Sequence, residues 1–111
     1  MKKADINEID IVLFEPIIPG TLIGKEVIDN NARRLGIVKG IRLKYPPLKL
    51  FLVVRGKDSE ENIPFDSIDK IGTIIKLKTN ITKDEIAIHE VLMILENIRK
   101  EISSLFKLSG L

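Results

Sequence analysis

The sequence predicts a mainly β domain with one long C-terminal α-helix: a small β-barrel followed by an amphipathic helix. Three observations predict it. Short apolar-polar alternations separated by turn residues fill 21–80, the hydrophobic period changes abruptly after residue 80, and 111 residues make one domain but not two comfortable ones. The division that follows is an N-terminal extension over 1–20, a barrel over 21–80 and a helical segment over 81–111.

In the extension, Ile9-Asp10-Ile11-Val12-Leu13-Phe14 reads as an added edge strand. The prolines of Glu15-Pro16-Ile17-Ile18-Pro19-Gly20 then forbid a continuing helix or a central strand. A helix lying on a membrane surface is the alternative, but Asp5, Glu8, Asp10 and Glu15 would meet anionic lipid badly. In the barrel, Leu22 to Asp29 is a short strand that ends at Asp29-Asn30-Asn31, a reversal built of residues that tolerate left-handed backbone. Leu35 to Lys44 follows with Ile37, Lys39, Ile41 and Leu43 on one face, and Gly36 and Gly40 mark a bulge or a sharp bend. Tyr45-Pro46-Pro47 breaks the chain. Leu48, Leu50, Leu52 and Val54 alternate with Lys49, Phe51, Val53 and Arg55, a half-buried strand pattern. Gly56 to Asn62 reads as a solvated loop, Ile63-Pro64-Phe65 and Thr73 to Lys78 as strands, and Asp66 to Lys70 as the turn between them.

After residue 80, Thr82-Lys83-Asp84-Glu85 has the form of a capping box. Ile88, Val91, Leu95, Ile98, Ile102 and Leu105 then recur at steps of three and four, and Gly110 is a stop. The predicted helix runs from Lys83 to Phe106, roughly 36 Å. Its first half has a wide apolar face, with Leu92 and Ile94 beside the seam; its middle narrows between Arg99 and Glu101. That shape assigns Ile86 to Leu95 partly to the barrel. It assigns Ile98, Ile102 and Leu105, with Val91 and Leu95, to a partner interface, the expected partner being a second copy. The competing reading folds the whole stripe onto its own barrel.

Composition narrows the function. No cysteine is present and the single histidine is His89, so thiolate chemistry and the usual zinc sites have no ligands, and no metal or other cofactor is expected. Ser103-Ser104 lies inside a helix, and no G-x-G-x-x-G loop cradles a phosphate. No catalytic residues are expected. The formal net charge of +2, with both signs scattered, argues against nucleic-acid binding by phosphate neutralisation. A local cluster, Arg42, Lys44, Lys49 and Arg55 with Tyr45 and Phe51 nearby, leaves an RNA-contacting face as the alternative, weighed against an ordinary solvated surface. Tyr45-Pro46-Pro47-Leu48 is a candidate partner loop, since it carries apolar groups on a rigid frame. The acidic start and the absence of a long apolar run predict a cytoplasmic chain that does not insert into membranes.

The barrel segment resembles the PRC-barrel family. The segments that carry the match are Leu22-Ile23-Gly24-Lys25-Glu26-Val27-Ile28-Asp29, Leu35-Gly36-Ile37-Val38, Ile63-Pro64-Phe65-Asp66-Ser67-Ile68 and Ile71-Gly72-Thr73-Ile74-Ile75-Lys76-Leu77. One departure is Ala32, where the family usually has a glycine; Asn31 is expected to take the left-handed role instead. The resemblance implies a non-catalytic adaptor. Relatives include part of the reaction-centre H subunit, part of a bacterial ribosome-maturation factor, and stand-alone archaeal proteins that serve cell division through SepF, the membrane adaptor of the tubulin-like FtsZ ring. A ribosome-associated role is the alternative that the resemblance implies.

Overall fold

A computed structural model describes residues 8–13, 22–81 and 84–108, the side chains of Leu13 and of residues 105–108 lying outside that description. It contains β1 (Ile9–Leu13), β2 (Glu26–Ile28), β3 (Arg34–Tyr45), β4 (Lys49–Arg55), β5 (Glu60–Pro64), β6 (Ile68–Ile71), β7 (Ile74–Leu77) and α1 (Ile88–Leu108). The chain is mainly β with one C-terminal helix, as its alternation and its change of period predict.

The seven strands form one sheet in the order β5-β4-β3-β2-β7-β6, with β1 also on β3. The twelve-residue β3 is the spine. One of its edges carries β4; the other is shared, with β2 along its first half and β1 along Ile41 to Tyr45. Every pairing is antiparallel except β2 with β7. In a flat sheet β5 and β6 would stand five spacings apart, about 24 Å. The chain between them has only four steps, from Pro64 to Ile68, which reach at most about 14 Å. The sheet must therefore curl, and its inner face closes over Val27, Leu35, Val38, Leu52, Val54, Ile63, Ile75 and Leu77. Among the described residues no ladder joins β5 to β6.

Helix α1 lies on the outer side of the sheet. Ile37 of β3 forms a second cluster with Ile86, Ile94 and Ile98, edged by Val91, Leu95 and Ile102. This placement needs the register shift between Val38 and Gly40. Before it, Ile37 stands opposite Arg55; after it, Ile41 stands opposite Leu52, whose side chain is in the inner core. The single apolar face expected for Ile37, Lys39, Ile41 and Leu43 is thus divided, and the bulge is what turns Ile37 toward the helix.

Four boundaries differ from expectation. The helix begins at Ile88, not Lys83, because Ile86 is pinned beforehand: its N–H donates to the Arg34 carbonyl at 2.9 Å and its side chain is buried. Of the box expected at Thr82 to Glu85, Thr82 and Lys83 lie outside the described residues, and Asp84 and Glu85 precede the helix. Glu90 reaches back, and the Ala87 N–H donates to its Oε1 at 2.7 Å. Strand β5 starts at Glu60, inside the expected loop, because Glu60 is held by Arg55 and Lys39. Strand β6 replaces much of the expected turn.

The fourth difference is in the first reversal. Ala32, not Asn31, takes the left-handed conformation, with φ 63°. A Cβ there costs about 1–2 kcal/mol, of which glycine would return part to the unfolded chain as entropy. Ala32→Gly is expected to stabilise the domain by about 0.5 kcal/mol. A higher urea midpoint with an unchanged slope is the signature to look for.

Candidate protein-interaction surface

The helix is held by charge on one flank. Arg55 lies beside Ile37 in the ladder and is only 19% exposed. Its guanidinium donates to both oxygens of Glu101 and, through Nε and Nη2, to Glu60 Oε2 at 3.0 and 2.5 Å. Lys39 Nζ joins the same carboxylates at 3.0 and 3.5 Å, and Lys57 Nζ meets Glu90 at 3.2 Å. One row of acids on α1 therefore docks on one row of bases from the sheet. The Arg55 contact holds the Glu101 carboxyl below its ordinary range against a smaller cost of burial. At Glu60 burial pushes upward, and hydrogen bonds from Arg55 and Lys39 outweigh it, so its carboxyl is also lowered. The Arg55 guanidinium is correspondingly raised, chiefly by Glu101.

Because both carboxyls are lowered in the folded chain, their contribution is fully present above the ordinary value of 4.5 and is lost as pH falls below it. Glu101→Gln is expected to remove part of the acid sensitivity between about pH 5 and pH 3. Urea midpoints of the two proteins at both pH values check this. Equal losses in both would reject Glu101 as a contributor.

The other flank of α1 is apolar and uncovered. Ile88 and Leu92, one turn apart, are 67% and 72% exposed; Met93, 62% exposed, lies about 100° further round the helix, on the face away from the sheet. Further along the helix a groove of about 810 Å³ runs between α1 and the β2–β7 side of the sheet. Ile23, Ile74, Leu95, Ile98 and Ile102 are among its walls. Exposed large apolar groups that adjoin one another on a helix, next to a groove with apolar walls, mark an interaction surface.

Of the interface expected from the stripe, Ile98 is corrected: at 2% exposure it is packed on Ile37, Ile86 and Ile94 of its own chain. Val91, Leu95 and Ile102 are half-buried at the edge of that cluster, and the side chain of Leu105 lies outside the described residues. The apolar stripe is wider than the seam, and the sheet covers its Ile94–Ile98 side. The exposed side is carried by Ile88 and Leu92, of which Leu92 is expected from the sequence only as a flank of the seam. The signal was available in the charges: Glu90 and Glu101 lie on one side of the helix, opposite the bases Lys39, Arg55 and Lys57, which leaves the other side outward.

The loop Tyr45 to Leu48 is exposed, Tyr45 at 51% and Leu48 at 62%. Leu48 also lines a hollow of about 460 Å³ with Leu50, Phe51 and Phe65. Inner-face residues of the sheet run out to this end, where Ile9 and Ile11 of β1 pair with Tyr45 and Leu43 and stay about half exposed. The basic cluster is differently employed. Arg42 is held bidentately by Asp10, at 2.8 and 3.2 Å, Arg55 is occupied as described, and Lys44 lies 5.7 Å from the centre of the Phe51 ring. The Arg42 contact lowers the Asp10 carboxyl.

His89 is exposed on the first turn of α1. Among the described residues no group of three or more His, Cys, Asp or Glu is placed to hold a metal ion. No helix among them is long and apolar enough to cross a membrane. Neither a protein-family model nor a curated protein matches the chain.

Proposed function

We propose that this chain is a non-catalytic adaptor that self-associates through the uncovered flank of α1 and carries a protein partner on its curled sheet. The observation that supports this best is the pair Ile88 and Leu92, exposed by 67% and 72% on the flank of α1 whose later turns, Leu95 and Ile102, wall an apolar groove. Burying about two-thirds of such a side chain gains about 1–2 kcal/mol. Two copies bring four of them, about 4–8 kcal/mol gross, against an association cost of about 4–15 kcal/mol. With the groove walls added, the balance suits a reversible complex of micromolar strength rather than an obligate one. The exposed Tyr45 to Leu48 loop is the second contact, for the partner that the adaptor carries. Through its resemblance to PRC-barrel segments the chain is assigned to the archaeal cell-division type, with SepF as that partner.

Light scattering after size exclusion tests self-association. At about 100 µM the chain is expected as a dimer that dissociates on dilution, and Leu92→Glu as a folded monomer with unchanged circular dichroism. A strict monomer at that concentration would overturn self-association. Titration with purified SepF tests the partner separately: no binding at micromolar concentration, in a chain that still dimerises, would remove the division role and leave the dimer.

A further inference from the structure

The charges along the uncovered flank say how two copies meet. Asp84 and Glu85, both exposed, lead into α1; Ile88 and Leu92 follow; the exposed Arg99 comes two turns later on the same flank. The stripe is acidic at one end, apolar in the middle and basic at the other. Such a stripe carries its own complement in reverse. We propose that a second copy of α1 packs antiparallel on this flank, about a two-fold axis that passes close to Leu92. This rests on the self-association proposed above and adds its geometry.

Centred there, Leu92 faces Leu92 of the other copy, and Ile88 lies near Leu95 and the aliphatic part of Glu96. Arg99, about 10 Å along the helix from the axis, falls beside the acidic lead-in of the other copy. A parallel pair would set Arg99 against Arg99 and Glu85 against Glu85, like charges at both ends of a short contact. The antiparallel arrangement replaces both repulsions with attractions. Arg99 is free to turn outward: its present contact is a 3.8 Å pair with Glu96 on its own helix, with both side chains more than half exposed. The opposite flank cannot serve, because Glu90 and Glu101 are engaged by the sheet.

The natural chain has no cysteine, so single cysteines report the geometry without background. Under oxidation at about 100 µM, Leu92→Cys is expected to cross-link almost fully to a covalent dimer. Ser103→Cys, exposed on the same stripe, is expected not to: across an antiparallel pair its two copies lie about 33 Å apart. Charge reversal gives a second readout in the full chain. Arg99→Glu is expected to weaken the dimer about tenfold at low salt, and Glu85→Arg added to Arg99→Glu to restore it. Cross-linking of Ser103→Cys, or no rescue by the double reversal, would overturn the antiparallel pair while the dimer stands. A wild-type dimer whose Leu92→Cys form does not cross-link would place the contact elsewhere. A wild-type monomer would remove the self-association itself.

Discussion

Gly36→Ala is expected to destabilise the domain by about 3 kcal/mol and to lower Tm by about 12 °C. Gly36 sits in β3 where Val27 of β2 pairs with it on one side and β4 presses on the other. A Cβ built there would lie 2.2 Å from the Arg55 carbonyl oxygen and 2.9 Å from Val54 Cγ1. The obstacle is backbone, so no rotamer relieves it; β4 must move away from β3. That movement opens the ladder at Val38–Val54 and Ile37–Arg55, and it also carries off the Arg55 that holds Glu101. The same change at Gly72, where the nearest atom to a Cβ is 3.9 Å away, is expected to stay within about 0.5 kcal/mol. Thermal and urea unfolding of the two variants decide it. Equal behaviour of Gly36→Ala and Gly72→Ala would show that β3 and β4 tolerate separation.

The difference between those two glycines was only partly legible in the sequence. Alternation in Leu48 to Arg55 and the three-and-four spacing of Ile88 to Ile102 each report one local period, and both elements are where that period puts them. What a local period does not report is which neighbour arrives on each face. Ile37 and Leu35 are equally apolar, yet one lies under the helix and the other in the inner core, and the register shift of the β2–β3 ladder, which skips Leu35 between Arg34 and Gly36, separates their roles. Strand β6 was hidden for a related reason: three of its four residues are exposed, so Ile68-Asp69-Lys70-Ile71 has no buried face to impose a pattern. The helix start was hidden by a decoy, since Thr82 to Glu85 has the letters of a cap while the neighbouring Ile86 is tied to the sheet. For the candidate surface, spacing gave the right helix, but its outward side depended on charges from three separate strands and loops.

Asp29→Ala is expected to cost about 3 kcal/mol, and Asp29→Asn about 1 kcal/mol. Asp29 follows β2 and is fully buried, the only buried charged residue among the described ones. Its Oδ1 accepts from the N–H groups of Asn31 and Arg33 at 2.9 and 3.0 Å, and Oδ2 lies 3.4 Å from Arg33 Nε. The backbone completes the reversal, with the Asp29 N–H on the Arg33 carbonyl at 3.1 Å and the Ala32 N–H on the Asp29 carbonyl at 3.0 Å. This one side chain therefore closes the turn that returns the chain from β2 to β3, and it does so around a left-handed Ala32 that opposes it. Alanine leaves two backbone donors without their acceptor, at about 1–3 kcal/mol each where water does not replace it. Asparagine keeps an oxygen for both donors; it gives up the charge facing Arg33 and turns an amide NH2 toward the buried Nε, a smaller loss than two orphaned backbone donors because the rest of that guanidinium side chain is 38% exposed. The order Asn above Ala in urea midpoint is the discriminating result. If the two variants unfold together, charge rather than hydrogen bonding holds the turn, and relief at Ala32→Gly should then persist undiminished in Asp29→Ala. If hydrogen bonding holds it, that relief should shrink once the turn is loosened, because a left-handed residue is strained only while its neighbours enforce the conformation.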